Sequence, residues 1–428
     1  MIRSLSLSVV ILGCLAYPSL SAIKTVEVVG RPTVDEDKVT VRVKVKGDQD
    51  RPITGLEATD FRLTVKGEGL PSQEVASLQW KSPETATPPP AWIVVLLDYS
   101  NSMIRTDSKG TTKLKGSVQA TRSLIEIAKQ RAGAGDTQVA IVPFGSDPNK
   151  NCPTREQSHP VDSEAEVDQF FAAKDIKLDT LLNYLENPPA ERVPCAATNI
   201  YRPLTTVINF LATRFPIPKE DEESKELAPR VAVILLSDGY HSVGNEAEGF
   251  QRLESLLQQH KNINVYTLGY GLTAGELAQK YGLQQVTRAD LNRNWRDVKT
   301  KKEFQADFVD WKRLQQIANL TGGIAEVSAD AKQAAQRFRL FFDSILGEYE
   351  LTYTDPRPER GEKHQVTVSV KNNGVQQDSA PKGYAIKGMR TVPFEVRFPL
   401  LGATLAIAAG FWVLPFWWWS RLLKQGMK

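Results

Sequence analysis

Two unbroken apolar segments, each followed at once by oxygen-bearing side chains, constrain the fold of this 428-residue chain most strongly. The segments are residues 92–97 (WIVVLL) and 231–236 (VAVILL). The polar residues that follow them are Asp98, Ser100, Ser102 and Asp238. Continuous apolar runs of this length are typical of parallel strands that are buried on both faces. The sequence therefore predicts an α/β domain with these polar residues at the carboxyl ends of its strands, where open sheets place ligands.

A fifth residue, Thr198, extends this set, and none of its members is a cysteine or a histidine. Hard oxygen donors of this kind suit Mg²⁺, Mn²⁺ or Ca²⁺ better than zinc or copper. An alternative is that the serines and aspartates cap helices and satisfy loop backbone, as they often do after a strand.

The spacing Asp98-x-Ser100-x-Ser102, with Thr198 and Asp238 further along the chain, resembles the metal-ion-dependent adhesion site of von Willebrand factor A domains. The resemblance covers roughly residues 91–346. It implies a doubly wound, Rossmann-like domain in which these five residues hold one divalent cation, Mg²⁺ or else Mn²⁺ or Ca²⁺. It also implies a protein partner whose carboxylate completes the coordination of that ion.

The flanking regions have the two-residue periodicity of half-buried strands. Residues 39–46 alternate valine with polar side chains, and residues 349–353 and 366–370 also alternate apolar or aromatic with polar side chains. The sequence predicts an N-terminal β region at 23–82, a proline-rich linker at 83–90 and a second β region at 347–390. Because neither region has enough strands for a core of its own, we expect the two to pack together as one sandwich.

The first 22 residues have the features of an export signal, with a basic residue, an apolar stretch and small residues before the cleavage region. Processing as a lipoprotein at Cys14 is an alternative. Residues 398–419 contain no charged side chain, and in a helix they span roughly 33 Å, enough for a bilayer core of about 30 Å. These features predict a single-pass membrane protein with its bulk outside the cytoplasm and residues 420–428 as a cytoplasmic tail.

Removal of such a signal leaves two cysteines, Cys152 and Cys195. In an exported chain they favour a disulfide, with two unpaired thiols as the alternative.

Catalysis and nucleic-acid binding are not predicted. The chain has no Gly-x-Ser-x-Gly motif, no phosphate-binding glycine-rich loop and no zinc-ligand spacing. His241 follows Asp238 closely and is expected to tune the site, whereas His159, His260 and His364 are expected at the surface. With 53 basic and 50 acidic residues, the net charge of +3 does not favour a nucleic acid as a partner.

The sequence thus predicts a membrane-anchored cell-envelope protein that is not an enzyme and that uses a divalent ion to bind an acidic side chain of another protein. Two alternatives remain, an assembly factor that works with an AAA ATPase and a structural envelope protein with a vestigial site. The last helix of the A domain, predicted at 329–346, is either a switch or a rigid tether.

Overall fold

A computed structural model describes residues 22–70, 78–131, 137–146, 152, 157–216, 229–356, 362–386 and 394–425. These residues form a mixed α/β structure with an apolar C-terminal helix, which confirms the sequence prediction at that level. The predictions for the export signal and for Cys14 lie outside the described residues.

The strands fall into three groups along the chain. The helices lie among or directly after the central strands, except for the last helix, which follows the final strand. The N-terminal strands are β1 (Thr25–Val28), β2 (Thr33–Asp35), β3 (Lys38–Lys46), β4 (Phe61–Val65), β5 (Glu68–Gly69) and β6 (Gln79–Lys81). The central strands are β7 (Ala91–Asp98), β8 (Thr137–Phe144), β9 (Phe171–Ala172), β10 (Arg230–Ser237), β11 (Ile263–Tyr270) and β12 (Ala325–Ser328). The last strands are β13 (Tyr349–Thr354), β14 (Lys363–Asn372), β15 (Val375–Asp378) and β16 (Lys382–Ala385). The helices are α1 (Lys113–Arg131), α2 (Ile176–Glu186), α3 (Tyr201–Arg214), α4 (Glu246–Gln259), α5 (Ala274–Tyr281), α6 (Val298–Asp307), α7 (Trp311–Leu320), α8 (Ala331–Leu346) and α9 (Phe394–Gln425).

The first and last groups of strands form two antiparallel sheets that share one core. One sheet has the order β1-β3-β13-β6 with β2 beside β3, and the other has the order β15-β14-β4-β5 with β16 beside β14. The inward valines of β3 and β14 meet between the sheets because their side chains alternate between the two faces of each strand. The central residues are therefore an insertion between β6 and β13 of one two-layer β unit.

The central strands form a six-stranded sheet in the order β12-β11-β10-β7-β8-β9, with only β9 antiparallel to its neighbour. Alternate residues of β7 enter two different cores. Ile93, Val95 and Leu97 pack under α1, α2 and α8, while Val94 and Leu96 pack under α3, α4 and α7. Helices thus cover both faces, which explains why the strands are apolar without interruption.

The order of the strands reverses at β7, which has β8 on one side and β10 on the other. The chain leaves β7 through α1 on one face and leaves β10 through α4 on the opposite face. The carboxyl ends of β7 and β10 therefore flank the point of reversal, which is where open α/β sheets bind their ligands.

The charged stretch after β11 is a compact lobe built around α5 and α6. Its small core contains Leu277, Leu291, Phe304 and Phe308. The lobe is joined to the loop after β10, because the Arg288 Nη2 donates to the His241 carbonyl oxygen at 2.9 Å.

A buried ionic cluster connects the α/β unit to the β unit. Glu348, which follows α8, is fully buried and accepts two hydrogen bonds from Arg230 at the start of β10, at 2.6 and 3.0 Å. Lys44 of β3 donates to the carbonyl oxygens of Ser344 and Ile345, at 3.0 and 2.8 Å. The last turn of α8 is therefore capped by a cation from the β unit, which suits the negative end of the helix dipole.

The C-terminal helix α9 is longer than the sequence predicts. Its portion Leu401–Gln425 is long and apolar enough to cross a membrane by length and composition. The predicted span was 398–419, so the helix continues into the segment predicted as a tail, and it includes the basic residues Arg421 and Lys424.

The expectation that His364 lies at the surface is wrong. His364 is completely buried between the sheets, with its Nδ1 at 2.7 Å from the Asp355 Oδ2. Asp355 also accepts from the Tyr384 hydroxyl at 2.5 Å. The physical reason is register, because His364 is two residues before Val366 and shares the inward face of β14.

Candidate metal centre

Strand β7 and the short turn after it fix the first three predicted residues. Asp98 is the last residue of β7, and Ser100 and Ser102 lie in the turn that continues into the 3₁₀ helix Asn101–Ile104. The backbone of this turn is anchored to the neighbouring loop, since the Asn101 N–H donates to the Ala196 carbonyl oxygen at 2.9 Å. The two serine side chains are therefore held near the end of β10.

Four of the five predicted residues form one hydrogen-bonded network. The Ser100 N–H donates to the Asp98 Oδ1 at 2.9 Å, and the hydroxyl oxygens of Ser100 and Ser102 are 3.0 Å apart. The Ser102 hydroxyl donates to the Asp238 Oδ1 at 2.7 Å. Both aspartates are fully buried, so two carboxylates that are 140 positions apart in sequence share one desolvated site.

Thr198 lies against the same loop. Its Oγ1 is 3.3 Å from the position that a Cβ would have on Gly239, the residue after Asp238. The Ser242 N–H donates to the Thr198 carbonyl oxygen at 3.0 Å, which holds the threonine loop against the loop after β10. Thr198 is nearly buried, with an exposed fraction of 6%. A side chain at residue 239 would press on the threonine hydroxyl, so glycine keeps that position open.

Two polar contacts in the network were not predicted from the sequence. The Ser237 hydroxyl donates to the Asp98 Oδ2 at 2.6 Å, and the Lys113 Nζ donates to the Asp238 Oδ2 at 2.7 Å. The Lys113 side chain is 8% exposed, so this is a buried ion pair. A local signal existed for Lys113, because it shares a helical face with Gly116, Ser117 and Ala120, all of them buried.

The electrostatics of the site reflect the two neighbouring carboxylates. Burial and, after it, the nearby Asp238 carboxylate raise the pKa of the Asp98 carboxyl to about 7. Hydrogen bonds from Ser237 and Ser100 oppose these effects. A positive charge placed between the two carboxylates would relieve both their desolvation and their repulsion.

His241 stabilises the loop around the site. Its ring stacks on Tyr201 with the centroids 4.0 Å apart, and its Nδ1 accepts from the Ile200 N–H at 3.2 Å. Burial lowers the pKa of the imidazole to about 4, against an opposing hydrogen bond with the Val243 backbone. The ring is therefore neutral near pH 7 and connects the threonine loop to the loop after β10.

A disulfide joins Cys152 and Cys195, whose Cα atoms are 5.7 Å apart. Cys195 immediately precedes Ala196, which pairs with Ser100 in the turn after β7, and Ala197, which pairs with Ser146 after β8. The disulfide therefore links the segment that leads to Thr198 with Cys152, which lies 43 positions before Cys195.

The donors in this cluster are two carboxylates and several hydroxyls. No group of three or more His, Cys, Asp and Glu side chains suitable for a metal ion occurs in the part of the chain that the structure describes. Each carboxylate oxygen accepts one of the hydrogen bonds given above and has a second lone pair. These oxygen donors therefore fit a hard divalent cation such as Mg²⁺, which proteins bind through one or two carboxylates.

Comparisons with known proteins identify no family. No protein-family model and no curated protein matches the chain. Among solved structures, the pilus adhesin SpaC from Lactobacillus rhamnosus GG is similar over 84% of this chain and 47% of its own, with 10% identity and a TM-score of 0.37. This chain thus spans about half of that protein, and a likeness at this level carries no argument about fold or function.

Proposed function

We propose that the α/β unit is a doubly wound von Willebrand factor A domain, whose residues Asp98, Ser100, Ser102, Thr198 and Asp238 bind Mg²⁺, or else Mn²⁺ or Ca²⁺. The protein uses this ion to bind a carboxylate of a partner protein. It is a binding protein and not an enzyme. Helix α9 anchors it in the membrane, with the α/β and β units outside the cytoplasm.

One observation carries the proposal. Side chains from the ends of β7 and β10 meet in a single buried network, with the Ser102 Oγ 2.7 Å from the Asp238 Oδ1. These strands flank the point at which the strand order reverses. Lys113 supplies one positive charge for two desolvated carboxylates, so a further cation would offset the remaining cost of their burial.

Binding accounts for this arrangement better than catalysis does. The His241 ring is engaged with Ile200 and Tyr201, and among the described residues it makes no hydrogen bond to Ser100 or Ser102. When bound, the ion supplies an exchangeable coordination position that a carboxylate can take. Recognition of this kind needs no general base.

The membrane anchor is supported by the composition of α9. The helix presents large apolar and aromatic side chains on its surface, including Phe411, Phe416 and Trp418, which are 78%, 80% and 67% exposed. Trp417 and Arg421 stack near its end, with the guanidinium carbon 3.7 Å from the ring centroid. An aromatic residue beside a basic one suits a membrane interface.

Thermal unfolding with and without Mg²⁺ tests the proposed site. The full chain in nanodiscs should be stabilised by Mg²⁺, by about 2.7 kcal/mol when the ion is at one hundred times its dissociation constant. The Asp98→Asn variant, which keeps the shape of the side chain and removes its charge, should lose this stabilisation. Differential scanning calorimetry over a Mg²⁺ series, ended by chelator, gives the measurement.

The matched control is Asp48→Asn, which removes an exposed carboxylate from the β unit. This variant should respond to Mg²⁺ as the wild type does. Equal Mg²⁺ stabilisation of the wild type and the Asp98→Asn variant would reject the proposed site.

A further inference from the structure

Lys113 is a buried cation inside the candidate metal centre, and its position has a consequence for binding. We propose that Lys113 determines the specificity of this centre: it weakens binding of the divalent ion alone and makes tight binding depend on the partner's carboxylate. This inference rests on the proposed function, because it concerns the same site.

The lysine is held in place by its surroundings. It is the first residue of α1, and its backbone N–H donates to the Arg105 carbonyl oxygen at 2.8 Å. Its carbonyl oxygen accepts from the Ser117 hydroxyl at 2.8 Å. With its side chain 8% exposed and its Nζ 2.7 Å from Asp238, the ammonium group has a fixed location beside the carboxylates.

The charges of the site explain the proposed effect. With a divalent ion bound and both carboxylates ionised, Asp98 and Asp238 contribute −2, the ion contributes +2 and Lys113 contributes +1, which leaves the site with +1. Without the lysine the same ion-bound site would be neutral. A buried site that is left with a positive charge favours an anionic ligand, because charge in a desolvated place is costly unless it is paired.

The alternative is that Lys113 only neutralises Asp238 and stabilises the fold. In that case its removal would change stability and leave the affinity for the ion unaltered. A measurement of Mg²⁺ affinity therefore distinguishes the two roles.

Isothermal titration of the full chain in nanodiscs of zwitterionic lipid, with MgCl₂ as the probe, separates them. We expect Lys113→Met, which keeps the length and removes the charge, to bind Mg²⁺ at least about tenfold more tightly than the wild type. Lys113→Arg, which keeps the charge, should bind Mg²⁺ with an affinity close to that of the wild type.

A second titration uses acetate as a simple carboxylate, with chloride at the same ionic strength as the reference. Acetate should raise the apparent Mg²⁺ affinity of the wild type, because the two ligands are linked through the charge of the site. The same addition should have a smaller effect on Lys113→Met.

Every outcome decides the question. Equal Mg²⁺ affinity in the wild type and in Lys113→Met, with binding abolished by Asp98→Asn, overturns the role of Lys113 and leaves the proposed site standing. If neither the wild type with acetate nor Lys113→Met binds Mg²⁺, the proposed function itself fails. If Lys113→Met folds only with Mg²⁺, the ion replaces the lysine charge, as expected; if it fails to fold even at saturating Mg²⁺, the lysine is structural and the inference is rejected.

Discussion

His241 makes the loop around the candidate metal centre sensitive to acid. Burial lowers the pKa of its imidazole from 6.5 to about 4, so the unfolded chain binds this proton more readily than the folded chain does. The contribution of the neutral imidazole to the unfolding free energy is therefore complete above pH 6.5 and is lost as the pH falls from there towards 4. We expect the wild type to lose about 1–2 kcal/mol of unfolding free energy from this group between pH 7 and pH 5.

The variant His241→Asn tests this expectation, because the amide oxygen can accept from the Ile200 N–H in place of the Nδ1. Urea unfolding at several pH values should show a shallower decline for the variant than for the wild type. Other titrating groups, including Asp98, contribute to both proteins and cancel in the difference. Identical slopes would mean that His241 does not carry this pH dependence.

At the residue scale, the sequence predicts the candidate metal-binding residues better than the residues that donate hydrogen bonds to them. Asp98, Ser100, Ser102 and Asp238 directly follow apolar strands, so the strands that form the sheet also bring them together. The Lys113–Asp238 and Ser237–Asp98 contacts join residues that are 125 and 139 positions apart. The helical face of Lys113 indicates that it is buried, but no local pattern specifies which residue it contacts. His364 is different, because the two-residue period of β14 already placed it on the inward face.

At the scale of elements, helix α1 packs directly against the side chain of Tyr270, the last residue of β11. A Cβ on Gly116 would lie well inside the van der Waals contact distance to the Tyr270 hydroxyl oxygen, and 3.2 Å from the Ala331 Cβ. That hydroxyl is itself held by a 2.9 Å hydrogen bond to the Asp107 Oδ2. The tyrosine cannot move away without breaking this bond, so the helix depends on glycine at this position.

The variant Gly116→Ala should therefore be destabilised by about 1–3 kcal/mol, the usual cost of overpacking. The matched control is Gly275→Ala in α5, where nothing lies within 4 Å of the added carbon. Alanine suits a helix better than glycine, so the control should be neutral or more stable by less than about 1 kcal/mol. Thermal unfolding of both variants measures the contrast, and equal stabilities would show that Tyr270 yields without cost.

Element types were predicted more accurately than element ends. Helix α8 begins at Ala331, close to the predicted 329, because Asp330 caps it by accepting from the Gln333 N–H. The sequence predicts no separate lobe at α5 and α6. Its core consists of four separated apolar residues, a pattern too sparse to give a clear period.

At the scale of the whole molecule, Glu348 connects the α/β unit with the β unit. It is completely buried, it pairs with Arg230, and the Lys44 Nζ lies 3.9 Å from its Oε1. Burial lowers the pKa of the Lys44 ammonium group to about 8, and Glu348 opposes that shift. The end of α8 is thus fixed to both units, an arrangement that favours a rigid tether over a sliding helix.

We expect Glu348→Gln to cost about 3 kcal/mol or more, because it leaves buried cations without their counter-charge. Its control is Glu362→Gln, since the ion pair of Glu362 with Lys66 is largely exposed and should matter by less than about 1 kcal/mol. Urea unfolding of the full chain gives both values. A Glu348→Gln variant as stable as the control would show that the connection between the units does not depend on this cluster.

The β unit combines strands from the first and the last part of the chain. Because a chain is synthesised from its amino terminus, these two groups of strands become available at different times. The hydroxyl oxygens of Thr40 in β3 and Thr352 in β13 are 2.8 Å apart, although 312 positions separate them in sequence. Strand β3 is synthesised long before this partner, so its valine-rich edge is exposed to wrong pairings during that interval.

Folding of the inserted unit brings the two ends of the insertion close together in space. Arg230 donates from its backbone to the Pro90 carbonyl oxygen at 2.7 Å and from its side chain to Glu348, so both ends of the insertion meet at one residue. Once the α/β unit has formed, the gap between β6 and β13 behaves as a short loop with a correspondingly small closure entropy. We therefore expect the inserted unit to bring the strands on either side of it together, so that the β unit completes its folding after the α/β unit.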